Sequence, residues 1–295
     1  MTIIDSLIRG KVSDEQCEDG IAVTDDFIAV IDGSTSKTPL RINPQMTNGR
    51  YAMLLLKDAV AALPLAATIK IAATRLTRAL ASAYPSEPAV RERLMAHPEQ
   101  RLCASVVVYS RYRHEVWMIG DCQCIIGGRY FDNPKPGEAM LASIRSQMLR
   151  DALRAGATME ELRSNDVGRN AILPELVNSM KYENTKYSVV DGFKIPMGKT
   201  RCLNIRKLGL CQTQPKEIVL ATDGYPFLRP TLSESEELLA RQLKDDPLCI
   251  GSFKATKGWR RNQRSFDDRA YISFLVYGWY YKFGRVVLGT KYDPT

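Results

Sequence analysis

The chain has 295 residues, of which 45% are hydrophobic and 25% charged, the make-up of a soluble globular protein that can bury a sizeable core. No run nears the ~20 apolar residues of a membrane span, and the first residues lack the basic-then-apolar pattern of a secretory leader, so the expected location is the cytoplasm. The 41 Lys and Arg exceed the 33 Asp and Glu, and the net charge of +8 favours anionic partners without indicating nucleic acid.

In chain order, residues 11–31 read as short strands separated by a turn at Thr24-Asp25-Asp26. The second of them, Phe27 to Ile31, is a continuous apolar run that ends in Asp32-Gly33. Pro39 and Pro44 mark a loop. Apolar residues then recur at helical spacing from Thr47 to Leu63, and again from Leu65 towards Pro85. The stretch 102–121 reads as a β-hairpin with its turn at Arg111–His114, running into Gly120-Asp121.

Residues 134 to about 180 are helical in pattern, with Gly137, Gly156 and Gly168 as expected breaks. Strands are expected over 185–196, 200–210 and 216–222, the last ending in Asp223-Gly224. A helix follows over 233–246, with Ser233 as N-cap and Glu236 completing a capping box. Asp267-Asp268 lead into a closing strand. This order is no regular βαβ alternation, which disfavours a doubly wound parallel sheet. It predicts an α+β fold with mainly antiparallel sheets: one domain over 1–295, with a helical insertion around 134–185.

Seven cysteines are scattered, and only Cys122 and Cys124 lie close together. An odd count in a long chain argues against a disulfide framework, and one close pair does not make a thiolate metal site. They read as reduced, mostly buried thiols. His97 and His114, the only histidines, read as surface residues, and Trp117 as core. The basic stretch Lys254–Arg264 reads either as a solvated loop or as one that faces substrate.

Carboxylates recur at strand ends: Glu18-Asp19, Asp32, Asp121, Asp223 and Asp267-Asp268. Any single Asp-Gly is a common turn signal, because glycine accepts positive φ. The set is harder to read as turns alone. Strands in two facing sheets would bring these ends to one edge, where the carboxylates repel unless a cation neutralises them. No histidine stands nearby, so the donors are all oxygen, which selects Mg²⁺ or Mn²⁺ over zinc.

These residues resemble, in order and across nearly the whole chain, the metal-dependent type 2C serine/threonine protein phosphatases, as a divergent bacterial-type member. The resemblance rests on Glu18-Asp19, Asp32-Gly33, Gly120-Asp121, Asp223-Gly224 and Asp267-Asp268. It implies a sandwich of two mainly antiparallel sheets flanked by helices, with a metal centre at one edge. By it, Asp32 would bridge two Mg²⁺ or Mn²⁺ ions and Gly33 would offer its carbonyl. Asp19 or Glu18 would hold one side, Asp223 and Asp267 the other, and Asp121 matches a position linked to a further, third ion. The implied activity is hydrolysis of a phosphoserine or phosphothreonine protein, or of a small phosphomonoester, by water bridging two ions; no membrane or nucleic-acid partner is implied.

Two positions depart from the pattern. Asp14 stands where the family has a phosphate-binding arginine, which leaves Lys11, Lys37 and Arg50 as substitutes, and the Arg260-Arg261 loop after them. Ser34 stands where many members have a histidine after Asp-Gly. Two other classes remain open: an actin-like ATP-binding kinase, suggested by the strand into "DGSTSK", and an inactive phosphatase-like binding module.

Overall fold

A computed structural model describes residues 1–208, 215–277, 280–282 and 285–287; Cys211 and the end of the strand expected over 200–210 lie outside them. The chain runs β1 (Thr2–Arg9), β2 (Asp19–Val23), β3 (Phe27–Gly33), α1 (Asn48–Ala61), α2 (Ile69–Ala81), α3 (Pro88–Ala96), β4 (Ala104–Ser110), β5 (Glu115–Ile119), β6 (Gln123–Ile126) and β7 (Arg129–Phe131). Then come α4 (Glu138–Arg154), α5 (Met159–Ser164), α6 (Val167–Ser179), β8 (Arg201–Asn204), β9 (Lys216–Ala221), α7 (Leu232–Asp245), β10 (Arg269–Val276), β11 (Tyr280–Lys282) and β12 (Arg285–Val287).

Two five-stranded sheets form, in the orders β2-β3-β4-β5-β8 and β1-β10-β9-β6-β7, and every pairing in them is antiparallel. β11 and β12 make a separate hairpin. The expected two-sheet α+β architecture is the one observed.

The apolar run of β3 explains its own position. Side chains alternate across a strand, and Phe27, Ala29 and Ile31 pack under α1 and α2 with Leu56, Leu76 and Leu80. Ile28 and Val30 face the opposite sheet, against Ile218, Leu220, Ile272 and Phe274. A central strand covered on both faces reads as continuous hydrophobic sequence. Beyond the second sheet, Val219 and Tyr271 pack with Leu239 and Leu243 of α7. The layers are therefore helices, sheet, sheet, helix, with three more helices between β7 and β8.

Several local expectations change. β1 was not foreseen: it is an edge strand, mostly exposed, with a register shift between Ile3 and Asp5, so it carries no clean alternation. Residues 11–17 are not a strand but a turn around a single 3₁₀ element at Asp14–Gln16. Residues 185–196 form no strand, only bridges at Val190 and Tyr187. There the buried Asp191 carboxylate accepts from Arg101 (2.8 Å), Asn184 (2.8 Å) and the Phe193 amide (2.9 Å), so side-chain bonding replaces a ladder.

Gly168 does not break a helix; it lies inside α6, where a Cβ would come within 2.9 Å of Arg145 on α4, so it serves close helix crossing. The N-cap of α7 is Thr231, whose side chain accepts from the Glu234 amide, rather than Ser233. Glu236 is thereby freed to pair with Arg269 at 2.7 and 2.8 Å. His114 is buried, with φ +51° in the hairpin turn; burial, Arg206 and Arg111 push its pKa down to about 4. Trp117 is core, as expected. Of the described cysteines, none is paired, and all but Cys202 are buried.

Candidate active site

The two sheets bring their carboxylate-bearing ends to one edge. Asp19 opens β2 and Asp32 closes β3, and the two are direct partners in register. Asp32 also faces Ser105 of β4, whose hydroxyl donates to Asp121 Oδ1 at 2.5 Å. From the second sheet come Asp223, two residues past β9, and Asp267-Asp268, just before β10. These ends are tied together where Thr222 N donates to Ala270 O (3.0 Å) and Ala270 N to Thr222 Oγ1 (2.9 Å).

Close backbone approach makes the corner. A Cβ on Gly33 would stand 2.1 Å from the Gly49 carbonyl of α1 and 2.6 Å from the Glu18 carbonyl, so only glycine lets β3, β2 and α1 meet there. Gly120 has φ +87° and turns the chain from β5 to Asp121, tight against Ser105.

Asp19, Asp32, Asp223, Asp267 and Asp268 line one cavity of about 530 Å³. Its floor is this sheet edge, and its walls are α4, α6 and the basic stretch 256–263. Helices α4 and α6 and that stretch are joined by Arg145, fully buried, which donates to Asp166 Oδ2 (2.9 and 2.6 Å) and to the Leu248 and Ala255 carbonyls (2.9 Å each). The basic stretch is thus a cavity wall. Its Trp259 packs under Arg163 and donates to Gln263 O.

The charges within the cluster are unequal in their partners. Lys135 Nζ is 2.7 Å from Asp121 Oδ2, Lys257 Nζ contacts Asp267 Oδ2, and Lys11 Nζ reaches Asp268 Oδ2 (3.0 Å), Asp267 Oδ1 (3.4 Å) and Glu18 Oε2 (3.5 Å). Asp19, Asp32 and Asp223 have no ammonium or guanidinium partner among the described residues. Asp19 Oδ2 and Glu18 Oε1 are buried with no hydrogen-bond partner.

Titration follows from this division. Burial raises Asp19, reinforced by Asp268, Asp267 and Asp223. Burial likewise raises Asp32, with Asp223, Asp19 and Asp121 adding to it. Burial and then Asp121 and Asp267 push Asp223 up to about 7. Burial works the same way on Asp121 and Asp267, but Lys135 at the first, and Lys257 with Lys11 at the second, more than offset it and hold both carboxyls low.

Among the described residues, no three His, Cys, Asp or Glu side chains already converge as a ready metal-ligand group. The donor set nonetheless fits a hard cation: it is all oxygen, its members repel one another, and two buried oxygens lack any partner. Asp19, Asp32, Asp223 and the Gly33 carbonyl are the residues that would hold one.

The remaining sequence candidates are spread around this centre. Lys37 lines the cavity and makes no hydrogen bond or ion pair among the described residues; burial and then Lys135 push its pKa down. Arg50 does not line the cavity, and its guanidinium donates to the Cys17 carbonyl at 2.8 Å. Asp14 accepts from the Gly10 amide at 3.0 Å and pairs with Arg264 at 3.4 Å. Lys135 was missed as a site residue, and Asp268, read as part of the Asp267-Asp268 motif, was given no role of its own. Lys135 lies between two prolines in a stretch with no periodicity, and only the fold carries it to Asp121.

No family model matches the chain, and no curated protein matches it. Among solved structures it is similar to the serine/threonine phosphatase PstP/Ppp of Mycobacterium tuberculosis: 12% identity, TM-score 0.45, over 94% of this chain and 100% of that one. It is similar to serine/threonine phosphatase Stp1 of Staphylococcus aureus at 12% identity and a TM-score of 0.45, over 94% of this chain and 96% of that one. A third similar structure is the catalytic domain of PstP in complex with two manganese ions, at 11% identity and a TM-score of 0.43, covering 93% and 99%.

Proposed function

We propose that the chain is a metal-dependent phosphomonoester hydrolase of the type 2C serine/threonine phosphatase kind, acting on a phosphorylated protein or a small phosphomonoester. The observation that carries this reading is the gathering of Asp19, Asp32 and Asp223 at one sheet edge with no ion-pair partner among the described residues, beside a cavity wide enough for a phosphorylated side chain. The order of the five acidic motifs in the sequence supports the same reading.

Asp32 holds the central position, because its strand neighbours are Asp19 on one side and Ser105, bonded to Asp121, on the other. When bound there, Mg²⁺ or Mn²⁺ lowers the pKa of water and neutralises charge on phosphoryl oxygens. The protein's part is to hold the carboxylates on rigid strand ends and to wall off bulk water with α4, α6 and the basic stretch. Lys37 offers an unpaired ammonium to the phosphate dianion, in the place that Asp14 cannot fill.

The test is hydrolysis of p-nitrophenyl phosphate and of a phosphothreonine peptide with Mn²⁺, with Mg²⁺ and with chelator. Metal-dependent release of phosphate without ATP supports the reading. A purified chain that hydrolyses neither substrate with either metal overturns it.

A further inference from the structure

The acidic centre is already partly occupied by the protein's own cations. Asp267 has both of its oxygens engaged: Oδ1 by Lys11 at 3.4 Å and Oδ2 by Lys257. Asp268 is committed as well, accepting from Lys11 Nζ (3.0 Å), the Lys11 amide (2.7 Å) and the Glu18 amide (3.4 Å). Thr35 pins the ammonium in place, since Lys11 Nζ donates to its Oγ1 at 2.9 Å and that hydroxyl bonds Glu18 Oε2. The Lys11 backbone is held too, its carbonyl accepting from the Arg264 amide at 2.7 Å.

This is a built position. Lys11 is four-fifths or more buried at its side chain (16% exposed), and its Nζ stands within 3.5 Å of four oxygens from four residues. A divalent ion on Asp267 and Glu18 would need oxygens at ~2.0–2.2 Å. It would have to evict two ammonium groups from a pocket where burial makes like-charge contact expensive. Among the described residues, no ammonium is in ion-pair contact with Asp19, Asp32 or Asp223.

Resting on the phosphatase reading, we propose that Lys11, backed by Lys257, is a built-in cation that replaces one of the two metal ions. The centre then takes a single divalent ion, at Asp19, Asp32 and Asp223. The lysine neutralises the second half of the acidic cluster without needing metal from solution.

Calorimetric titration of the metal-stripped full chain with MnCl₂, paired with electron paramagnetic resonance, tests this. The parent should take up one Mn²⁺ per chain and show the spectrum of an isolated ion. Lys11→Ala should gain a second, weaker ion and the broadened spectrum of a coupled pair. Two ions and a coupled spectrum in a parent that hydrolyses phosphomonoesters overturn this proposal and leave the phosphatase reading standing. A folded Lys11→Ala that still binds one ion also overturns it. Lys11→Gln, which keeps hydrogen-bonding capacity but not charge, serves if the alanine variant does not fold, with the same two-ion expectation. Uptake of no Mn²⁺ by the parent overturns both readings together.

Discussion

Two buried clusters of charge border the same cavity, one behind its α4 wall and one at its floor, and they differ in balance. On the α4 side, Arg145 is fully enclosed, and all three of its guanidinium nitrogens are engaged: two bonds to Asp166 and one to each of two carbonyls. At the sheet edge, carboxylates outnumber ammonium groups. Lys11, Lys135 and Lys257 serve Glu18, Asp121, Asp267 and Asp268, while Asp19, Asp32 and Asp223 face one another. A satisfied buried pair is a device for holding parts together. An unsatisfied cluster is a cost to the fold and marks a place where something binds.

The comparison is best broken by substitutions whose effects on stability should have opposite signs. Asp32→Asn should lower metal-dependent hydrolysis on the order of 10⁴-fold, about 5.5 kcal/mol of barrier. In chelator the same variant should melt higher than the parent, because one member of a repelling set is gone. An Asp32→Asn protein with parental activity, or with a lower melting temperature in chelator, contradicts the account.

Arg145→Ala should do the reverse, destabilising by about 3–5 kcal/mol because Asp166 is left buried and unpaired. Chemical denaturation measures this directly. A loss under ~1 kcal/mol would mean that α4, α6 and the basic stretch are held together by other contacts.

Lys37→Ala is a smaller probe, aimed at a cavity lysine that has no ion pair among the described residues. A charge-assisted bond to phosphate is worth about 1.5–3 kcal/mol, so KM for a phosphomonoester should rise about tenfold or more, with kcat and Mn²⁺ affinity close to parental. Unchanged KM moves phosphate capture to another residue, with Arg260 on the cavity wall next in line.

Smallest per step of pH is the effect of Glu183, which also lines the cavity. Its Oε2 is buried without a partner, and Cys103 Sγ donates to Oε1 at 3.8 Å. Burial, with Asp191 adding, pushes its pKa from 4.5 up to about 7 against Lys37, Lys135 and Arg101. The native state therefore binds this proton more tightly than the unfolded chain, so Glu183 makes stability fall as pH rises from 4.5 towards 7. Glu183→Gln should flatten that slope, by at most about 1.4 kcal/mol per pH unit, and should leave the variant more stable than the parent above pH 7. Parallel pH–stability curves for the two proteins would remove Glu183 from the account.

What was legible in the sequence was local. Phe27–Ile31 announces a strand covered on both faces, and the first helical pattern begins at Thr47, the cap of α1, whereas the second, read from Leu65, becomes a helix only at Ile69, after its cap Thr68. Motif order alone singled out Asp19, Asp32, Asp121, Asp223 and Asp267. What failed locally failed for stated reasons: β1 is an exposed edge without alternation, and Asp191 draws 185–196 out of any ladder by side-chain bonding. The capping of α7 slid two residues, because Thr231 and Glu234 make the bond that Ser233 and Glu236 were expected to make.

The sequence by itself determined which carboxylates stand near strand ends, because a residue's chemistry and its place at a strand end are both set within a few positions. The order of elements also pointed to an α+β fold with antiparallel sheets, while their arrangement as two facing sheets was implied only by the resemblance. Only the tertiary structure decided which carboxylates are left without a partner. Lys11, Lys135 and Lys257 reach theirs across 7 to 257 positions of chain. A charge pair across such a span leaves no periodicity to read, since Coulomb attraction depends on distance in space and not on separation along the chain.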